Sequence, residues 1–200
     1  GVKNEVCMAA SGGPDSLCLI LLANIFAKKN KIQMSVLTVD HQLRKESSQE
    51  AIWLNKVLRK MKIKHHILKW SGKKPVSNIM EAARLKRYEL MTNRCIRQNI
   101  KFLLTAHHLD DQIENFFMRL VRGSGLKGLS AMRPLTKLSK KIFLFRPLLE
   151  TNKKDLIKIS KVIFGKYIKD PSNQSNKYLR TKIRSLKKPL IKSGINYSQI

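Results

Sequence analysis

The sequence contains little cysteine and no long apolar run. Its 200 residues include three cysteines, none in a CxxC pair, so there is no basis for a disulfide framework, a zinc site or a cysteine-held iron–sulfur cluster. The longest apolar candidate, residues 17–27, is interrupted by Asn24 and is shorter than the roughly 18–20 residues that span a bilayer. We therefore expect a reduced, cytoplasmic setting and no membrane span.

Acidic residues are also scarce. The chain has 41 Lys and Arg against 13 Asp and Glu, which gives a formal net charge of +28. A field of this sign attracts polyanions, and phosphate backbones above all. Nucleic acid is therefore the leading candidate partner, and a surface of solvated lysines is the alternative. With 42% hydrophobic residues the chain is able to bury a core, and its length suits one domain or one domain with an appendage.

Apolar runs alternate with helical patterns through the first 121 residues. Short apolar runs predict strands, and apolar positions at helical spacing predict helices between them. The predicted strands are 6–10, 32–39, 63–68 and 102–106. The first predicted helix follows the turn at 11–16. The others span about 47–61, 79–98, with Asn78 as the cap, and 110–121. This alternation is typical of an α/β fold, a doubly wound parallel sheet that binds ligands at the carboxyl ends of its strands.

Beyond residue 130 the pattern changes. One further strand is predicted at 142–145, and helices are predicted at 152–164 and 178–188. We expect residues 1–130 to form the α/β domain and residues 131–200 to form a small, basic, mostly helical extension.

A glycine-containing turn closes the first predicted strand and opens a helix. Backbone N–H groups and the positive helix end meet there, which makes an anion site. Asp15 does not suit a pure anion site, but its carboxylate would hold a Mg²⁺ ion that neutralises a polyphosphate. An ordinary turn is the alternative. The residues of the predicted site are Ser11, Gly12, Gly13, Pro14, Asp15 and Ser16.

A second polar cluster, HHLDDQIE at 107–114, lies where the fourth strand passes into a helix. Asp111 and Glu114 are three positions apart and share a helix face. Such carboxylates beside a phosphate site would share a metal or receive a cationic amine, and capping of the helix is the alternative. The glycines at 123 and 125 suggest a lid hinge or a plain helix end.

The hexapeptide SGGPDS at 11–16 resembles the SGGxDS signature of the N-type ATP pyrophosphatases, the PP-loop superfamily. Other segments are similar to the tRNA(Ile)-lysidine synthetase family within it, and together they span about residues 5–190. They are VDHQLR (39–44), EAARLKRY (81–88), AHHLDDQIENFFMRLVRGSGLKGLSAM (106–132), RPLL (146–149) and DPSN (170–173) with RTKIR (180–184). The resemblance implies a Rossmann-like sheet of the adenine nucleotide alpha hydrolase type.

The resemblance also implies a carbon–nitrogen ligase that uses ATP and Mg²⁺. In that reaction O2 of the wobble cytidine of tRNA(Ile) with a CAU anticodon attacks the α-phosphorus of ATP and pyrophosphate leaves. Free lysine then displaces AMP at C2 and forms lysidine. A homodimer is possible. The alternatives are a tRNA thiolase, disfavoured by the missing CxxC, or a non-catalytic ATP- and RNA-binding module.

The same resemblance implies roles for individual residues. The 11–16 turn would grip pyrophosphate with a Mg²⁺ ion held by Asp15 and Asp111. Asp111 and Glu114 would contact the metal and the lysine amine. Arg87 and Arg184 would meet the α-phosphate or an RNA phosphate, since Arg forks match phosphate oxygens. The C-terminal extension would complete the site and contact the tRNA.

Overall fold

A computed structural model describes residues 4–44, 46–169 and 179–194 of the chain. In chain order its elements are β1 (Glu5–Ala9), α1 (Pro14–Lys29), β2 (Gln33–Asp40), α2 (Glu46–Lys60), β3 (Lys64–Lys69), α3 (Ile79–Arg97), β4 (Phe102–Leu104), α4 (Leu109–Val121), α5 (Leu126–Leu129), β5 (Leu135–Lys137), β6 (Phe143–Phe145), α6 (Lys153–Phe164), α7 (Leu179–Ser185) and α8 (Lys187–Lys192). The predicted α/β fold is confirmed. Among the described helices, none is both long and apolar enough to cross a membrane.

The strands form one sheet in the order β3-β2-β1-β4-β6-β5. The first five in this order run parallel, as predicted, and β5 pairs antiparallel with β6 at one edge. The prediction missed β5 because its three residues are all exposed and carry no alternating apolar pattern. The chain order reverses at β1, so the crevice between the ends of β1 and β4 is the expected ligand position.

Helices cover both faces of the sheet, and strand alternation sorts the side chains into two cores. Met8 of β1 packs with Leu17 of α1, Leu54 of α2 and Leu156 of α6 on one face. Cys7, the neighbouring strand residue, faces the opposite side, where α3 packs. Burial of these two apolar layers holds the strand ends, and therefore the site, in place.

Residues after 130 contribute to the same sheet. β6 pairs parallel with β4, and α6 packs against α1 next to the glycine-containing turn. The division at residue 130 stays a prediction, while these pairings show that both parts of the chain build the site.

Two local predictions fail for backbone reasons. Asn78 precedes α3 with a left-handed φ of 50° and makes no side-chain cap bond, because N-capping needs an extended backbone at that position. The helix predicted at 178–188 is divided into α7 and α8 around Leu186. Pro189 has no N–H to donate to the turn before it, which explains the break. The DPSN segment at 170–173 lies outside the described residues.

Candidate functional site

The turn between β1 and α1 has the predicted strand–turn–helix geometry. Gly12 has a φ of 80°, and Gly13 at the helix N-cap has an extended backbone. Pro14 takes the first helical position, where no N–H is needed. The Ser16 hydroxyl donates to the Gly13 carbonyl at 2.9 Å. The first backbone N–H groups of α1 therefore lie at the carboxyl end of β1, which is where the sequence predicts a bound anion.

The C-terminal half of the chain packs directly on this turn. The backbone N–H of Ile168 donates to the Gly12 carbonyl at 2.9 Å. A Cβ at Gly12 would lie 2.3 Å from the Ile168 Cδ1 atom, so only glycine fits there without a shift. The buried hydroxyl of Ser160, on α6, donates to the Pro14 carbonyl. Residues beyond 150 therefore set the shape of the turn.

A polar chain supports the base of the turn from the other side. The Thr38 hydroxyl donates to the Ala10 carbonyl at 3.0 Å, one residue before the turn begins. Nε2 of His65 lies 2.8 Å from the Thr38 hydroxyl, and its Nδ1 lies 3.0 Å from the Asn55 side-chain oxygen. Burial lowers the pKa of His65 to about 4, so this imidazole is neutral at pH 7 and its single N–H donates to one of the two oxygens at a time.

Asp15 and Asp111 meet at one imidazole. His108 Nε2 lies 3.6 Å from Asp15 Oδ2 and 3.4 Å from Asp111 Oδ2. The His108 backbone N–H also donates to Asp111 at 3.1 Å, which fixes the start of α4. The structure therefore brings together the two carboxylates that the sequence proposes as metal ligands. His108, which is 1% exposed, is the group between them.

The donor set at this point suits a Mg²⁺ ion that is shared with a phosphate. Asp15 Oδ1 is buried and has no hydrogen-bond partner among the described residues. Within that part of the chain, no group of three or more His, Cys, Asp or Glu side chains is arranged to hold a metal alone. Mg²⁺ commonly takes one or two carboxylates and completes its shell with water and phosphate oxygens, so the two aspartates fit it.

Glu114 is the centre of a buried ion-pair cluster. Its side chain is 2% exposed, and it accepts from Nε of both Arg180 and Arg184 at 2.5 Å. Arg180 also pairs with Asp111, and Lys187 pairs with Asp110 at 2.7 Å. These contacts clamp α7 and the start of α8 onto α4.

The ionisation of this cluster follows from its contacts. Burial raises the pKa of Asp111, but the nearby His108 and Arg180 outweigh it, so the pKa lies below its usual value. For Arg180, burial lowers the pKa, but Asp111 and Glu114 outweigh that effect and raise it. Asp111 and Arg180 are therefore both charged at neutral pH, as a buried ion pair requires.

Arg87 lies apart from these acidic residues. Its Nε donates to His41 Nε2 at 3.3 Å, beyond the carboxyl end of β2. Burial, followed by the charge of Arg87, lowers the pKa of His41 to about 4. Of the predicted site residues, the turn, Asp111, Glu114 and Arg184 are grouped around the end of β1 and the start of α4. Arg87 is on the β2 side of that group.

Sequence reasoning gave no role to Arg180, the residue that joins Asp111 to Glu114. The available signal was the RTKIR segment, in which positions 180 and 184 are one helical turn apart and share a face. Sequence reasoning also gave no role to His108. Only the fold shows that Asp15 comes within 3.6 Å of its ring.

The glycine-rich segment after α4 is tied to that helix. Gly123 follows the C-cap with a φ of 70°, as a helix-ending glycine does. Arg119 donates to the carbonyls of Gly128 and Ser130 at 2.6 and 2.9 Å. The Gln112 amide exchanges two hydrogen bonds with the Met132 backbone. The segment is thus held against the same helix that carries Asp111 and Glu114.

A parallel sheet with an anion-type turn after its first strand and carboxylates at the end of the neighbouring strand defines an α/β nucleotide-binding protein. The chain belongs to the PP-loop domain family, whose model matches residues 2–190. Membership of this family implies ATP binding. It also agrees with the resemblance of the SGGPDS turn.

Curated relatives are similar over nearly the whole chain. A tRNA(Ile)-lysidine synthase from Orientia tsutsugamushi is 43% identical over 192 residues, which is 96% of this chain and 43% of that protein. One from Rickettsia akari is 42% identical over 181 residues, which is 90% of this chain and 42% of that protein. The chain therefore spans less than half the length of these relatives.

A solved structure supports the fold. The U34-tRNA thiolase NcsA from Methanococcus maripaludis, with its [4Fe-4S] cluster, aligns with a TM-score of 0.81 at 21% identity. The alignment covers 98% of this chain and 70% of that one. At this identity the likeness establishes the arrangement of elements alone.

Proposed function

We propose that this chain carries the ATP-dependent chemistry of a tRNA(Ile)-lysidine synthetase, a carbon–nitrogen ligase. The observation that carries the proposal is the 43% identity to a relative of that name across 96% of the chain. The substrates are ATP, free lysine and tRNA(Ile) with a CAU anticodon. A cytoplasmic location and a homodimer belong to the same proposal.

The first step adenylates the RNA. O2 of the wobble cytidine attacks the α-phosphorus, the bond to the β-phosphate breaks, and pyrophosphate leaves. The backbone N–H groups at the start of α1 and the Ser11 hydroxyl stabilise the negative charge on pyrophosphate, and the Ser16 hydroxyl does so once it turns away from the Gly13 carbonyl. Arg87, at the end of β2, and Arg184, at the α4 clamp, supply positive charge to the α-phosphate or to an RNA phosphate. A Mg²⁺ ion held by Asp15 and Asp111 would offset the charge that develops on the leaving group.

In the second step the lysine amine bonds to C2 and AMP leaves with its electron pair. Asp111 and Glu114 are the carboxylates available to hold the lysine ammonium, which passes one proton to water or to one of them and then attacks C2 as the neutral amine. Glu114 is paired with Arg180 and Arg184, so a lysine ammonium has to share or replace those guanidinium contacts. Both guanidinium groups would then be available to the phosphate that develops as AMP leaves.

The proposal is tested by the release of AMP from α-labelled ATP. We expect release that needs both lysine and tRNA(Ile) with a CAU anticodon, and no release with methionine tRNA, which has the same anticodon. Asp15→Ala should abolish it. Asp155→Ala is the matched control, because Asp155 also lies in the first turn of a helix, α6, and is exposed.

ATP binding without AMP release from any tRNA would contradict the proposal for this chain. It would favour the ATP- and RNA-binding module instead. Repeating the assay with a chain as long as the curated relatives would then show whether the remaining length supplies the missing step.

A further inference from the structure

A second group of basic side chains lies at the same edge of the sheet, past the ends of β4 and β6. The Thr105 N–H donates to the Phe145 carbonyl at 3.0 Å, so the segments that follow β4 and β6 leave the sheet side by side. His107 lies on the segment after β4, and Arg146 lies on the segment after β6. Arg84, on α3, is near enough to both for its charge to act on them. Arg84 and Arg146 belong neither to the turn nor to the carboxylate cluster described above, while His107 lies between them and that cluster, near enough to Asp111 for the two side chains to interact.

Arg146 is held in place by its own contacts. Its Nη1 donates to the Arg133 carbonyl and to the Thr136 hydroxyl, each at 2.8 Å. Its Nε is buried without a partner among the described residues. A fixed, half-buried guanidinium is costly unless an anion compensates its charge.

Arg84 adds a second positive charge at this point. It lies one helical turn before Tyr88. Burial is the largest cause that lowers the pKa of Arg146; Tyr88 opposes it, and the charge of Arg84 lowers the pKa further. Burial is the largest cause that lowers the pKa of His107 to about 4; the Asp111 carboxylate opposes it, and the charges of Arg146, Arg180 and Arg84 lower the pKa further. In the described part of the chain, neither arginine has a carboxylate partner.

Arg84 and Arg87 are three positions apart and share a face of α3, so helical spacing alone does not separate them. Their contacts do. Arg87 contacts His41 on the β2 side, while Arg84 is close to His107 and Arg146 on the β4–β6 side. The two arginines therefore lie near the ends of different strands, Arg87 near β2 and Arg84 near β4 and β6.

We propose that Arg84, Arg146 and His107 bind a phosphate group separate from the one at the 11–16 turn, and that an RNA backbone supplies it. Two guanidinium forks beside a neutral imidazole suit the oxygens of a phosphate, which would offset their mutual repulsion. The next strand end along the sheet, β1, carries the turn for the ATP phosphates. An RNA phosphate at β4–β6 would place its nucleotide beside ATP. The choice of RNA rests on the proposed function, while the phosphate chemistry does not.

The test compares Arg84→Gln with Arg97→Gln. Both residues are exposed on α3 and both changes remove one positive charge, but Arg97 lies in the last turn, at the opposite end of the sheet. Affinities for ATP and for a short RNA stem-loop with a CAU anticodon are measured by fluorescence anisotropy over a range of salt concentrations. We expect Arg84→Gln to weaken RNA binding about tenfold and to reduce the salt slope by about one. ATP affinity should change less than about twofold, and Arg97→Gln should resemble the unmodified chain.

Arg146→Lys gives a second measurement that keeps the charge and removes the fork. We expect it to weaken RNA binding several-fold, with circular dichroism confirming that the fold is kept. If Arg84→Gln weakens ATP binding and spares RNA binding, the phosphate site is supported and its ligand is the nucleotide.

Equal effects of Arg84→Gln and Arg97→Gln on both ligands would overturn the proposal, as would an unmodified chain that binds neither ligand. A chain that binds RNA but releases no AMP would contradict the proposed function. It would leave the comparison of the two arginines intact.

Discussion

Gly12 and Gly13 are adjacent but stand under different constraints. Gly12 has a φ of 80° and Ile168 beside its Cα, whereas a Cβ at Gly13 would meet no atom closer than 3.6 Å. We expect Gly12→Ala to lower the free energy of unfolding by about 1–2 kcal/mol, because an L-residue is strained in the left-handed region. Gly13→Ala should change it by less than about 0.5 kcal/mol. Urea denaturation measures both, and equal losses would show that the backbone angle does not decide the effect.

At the residue scale, helical spacing predicted that Asp111 and Glu114 share a face, and the structure confirms it through Arg180, which contacts both. The same reasoning did not separate Arg84 from Arg87. Both lie in one basic helix pattern, and only the packing of α3 over the sheet decides which strand end each one reaches. The role of Arg87 stays a prediction.

At the element scale, the clamp between α4 and α7 is the contact most open to test. Glu114→Gln removes the charge that two guanidinium groups share. We expect the free energy of unfolding to fall by about 2–3 kcal/mol, because charged hydrogen bonds are lost and two positive groups are left facing each other. Hydrogen exchange should show faster exchange in α7 while β1 and β2 remain protected.

Glu89→Gln is the matched control for this prediction. Glu89 pairs with Lys86 on the surface, with 53% of its side chain exposed, so the same chemical change should cost less than about 0.5 kcal/mol. Unchanged exchange in α7 of Glu114→Gln would show that apolar contacts, such as those of the buried Ile183, hold the helix instead.

Elements with a strong apolar pattern were predicted well, including the short strands β4 and β6, and elements without one were not. α2, α3 and α6 begin and end within two residues of their predicted bounds. β5 was missed because its three residues are all exposed and form no apolar run, whereas β4 and β6, also three residues long, were predicted from apolar runs that contain buried residues. The pairing of β5 with β6 depends on a hairpin rather than on its own composition. The break between α7 and α8 follows from Pro189, a signal that was present in the sequence.

At the scale of the whole molecule, buried histidines in different parts of the chain make stability depend on pH, and His66, whose pKa burial also lowers, adds to the effect of the three with the largest shifts. The pKa values of His41, His65 and His107 are lowered to about 4 from the ordinary 6.5, with burial the largest cause for each. Below about pH 6.5 the unfolded chain binds protons that the folded chain does not, so stability falls as the pH drops toward about 4. Above that window both states are neutral and the effect disappears.

Urea midpoints at about pH 7 and about pH 5 measure this fall. We expect a lower midpoint at the acidic pH and a smaller difference in His65→Gln, which removes one of the three groups. Asp40 and Asp111 do not interfere, because their lowered pKa values make their loss of stability begin at more acidic pH. Urea midpoints that agree at the two pH values would show that the three imidazoles take up protons at the acidic pH in the folded chain as they do in the unfolded chain.

The sequence by itself determined the α/β alternation, the anion-type turn at 11–16, the shared helix face of Asp111 and Glu114, and the strong positive charge. These features are local, since each depends on neighbouring residues or on a sum over composition. Only the tertiary structure decided that His108 lies between Asp15 and Asp111, and that Glu114 meets arginines 66 and 70 residues away. Contacts of that kind arise where separate strands end at one edge of a sheet, and no short-range pattern encodes which side chains will face each other there.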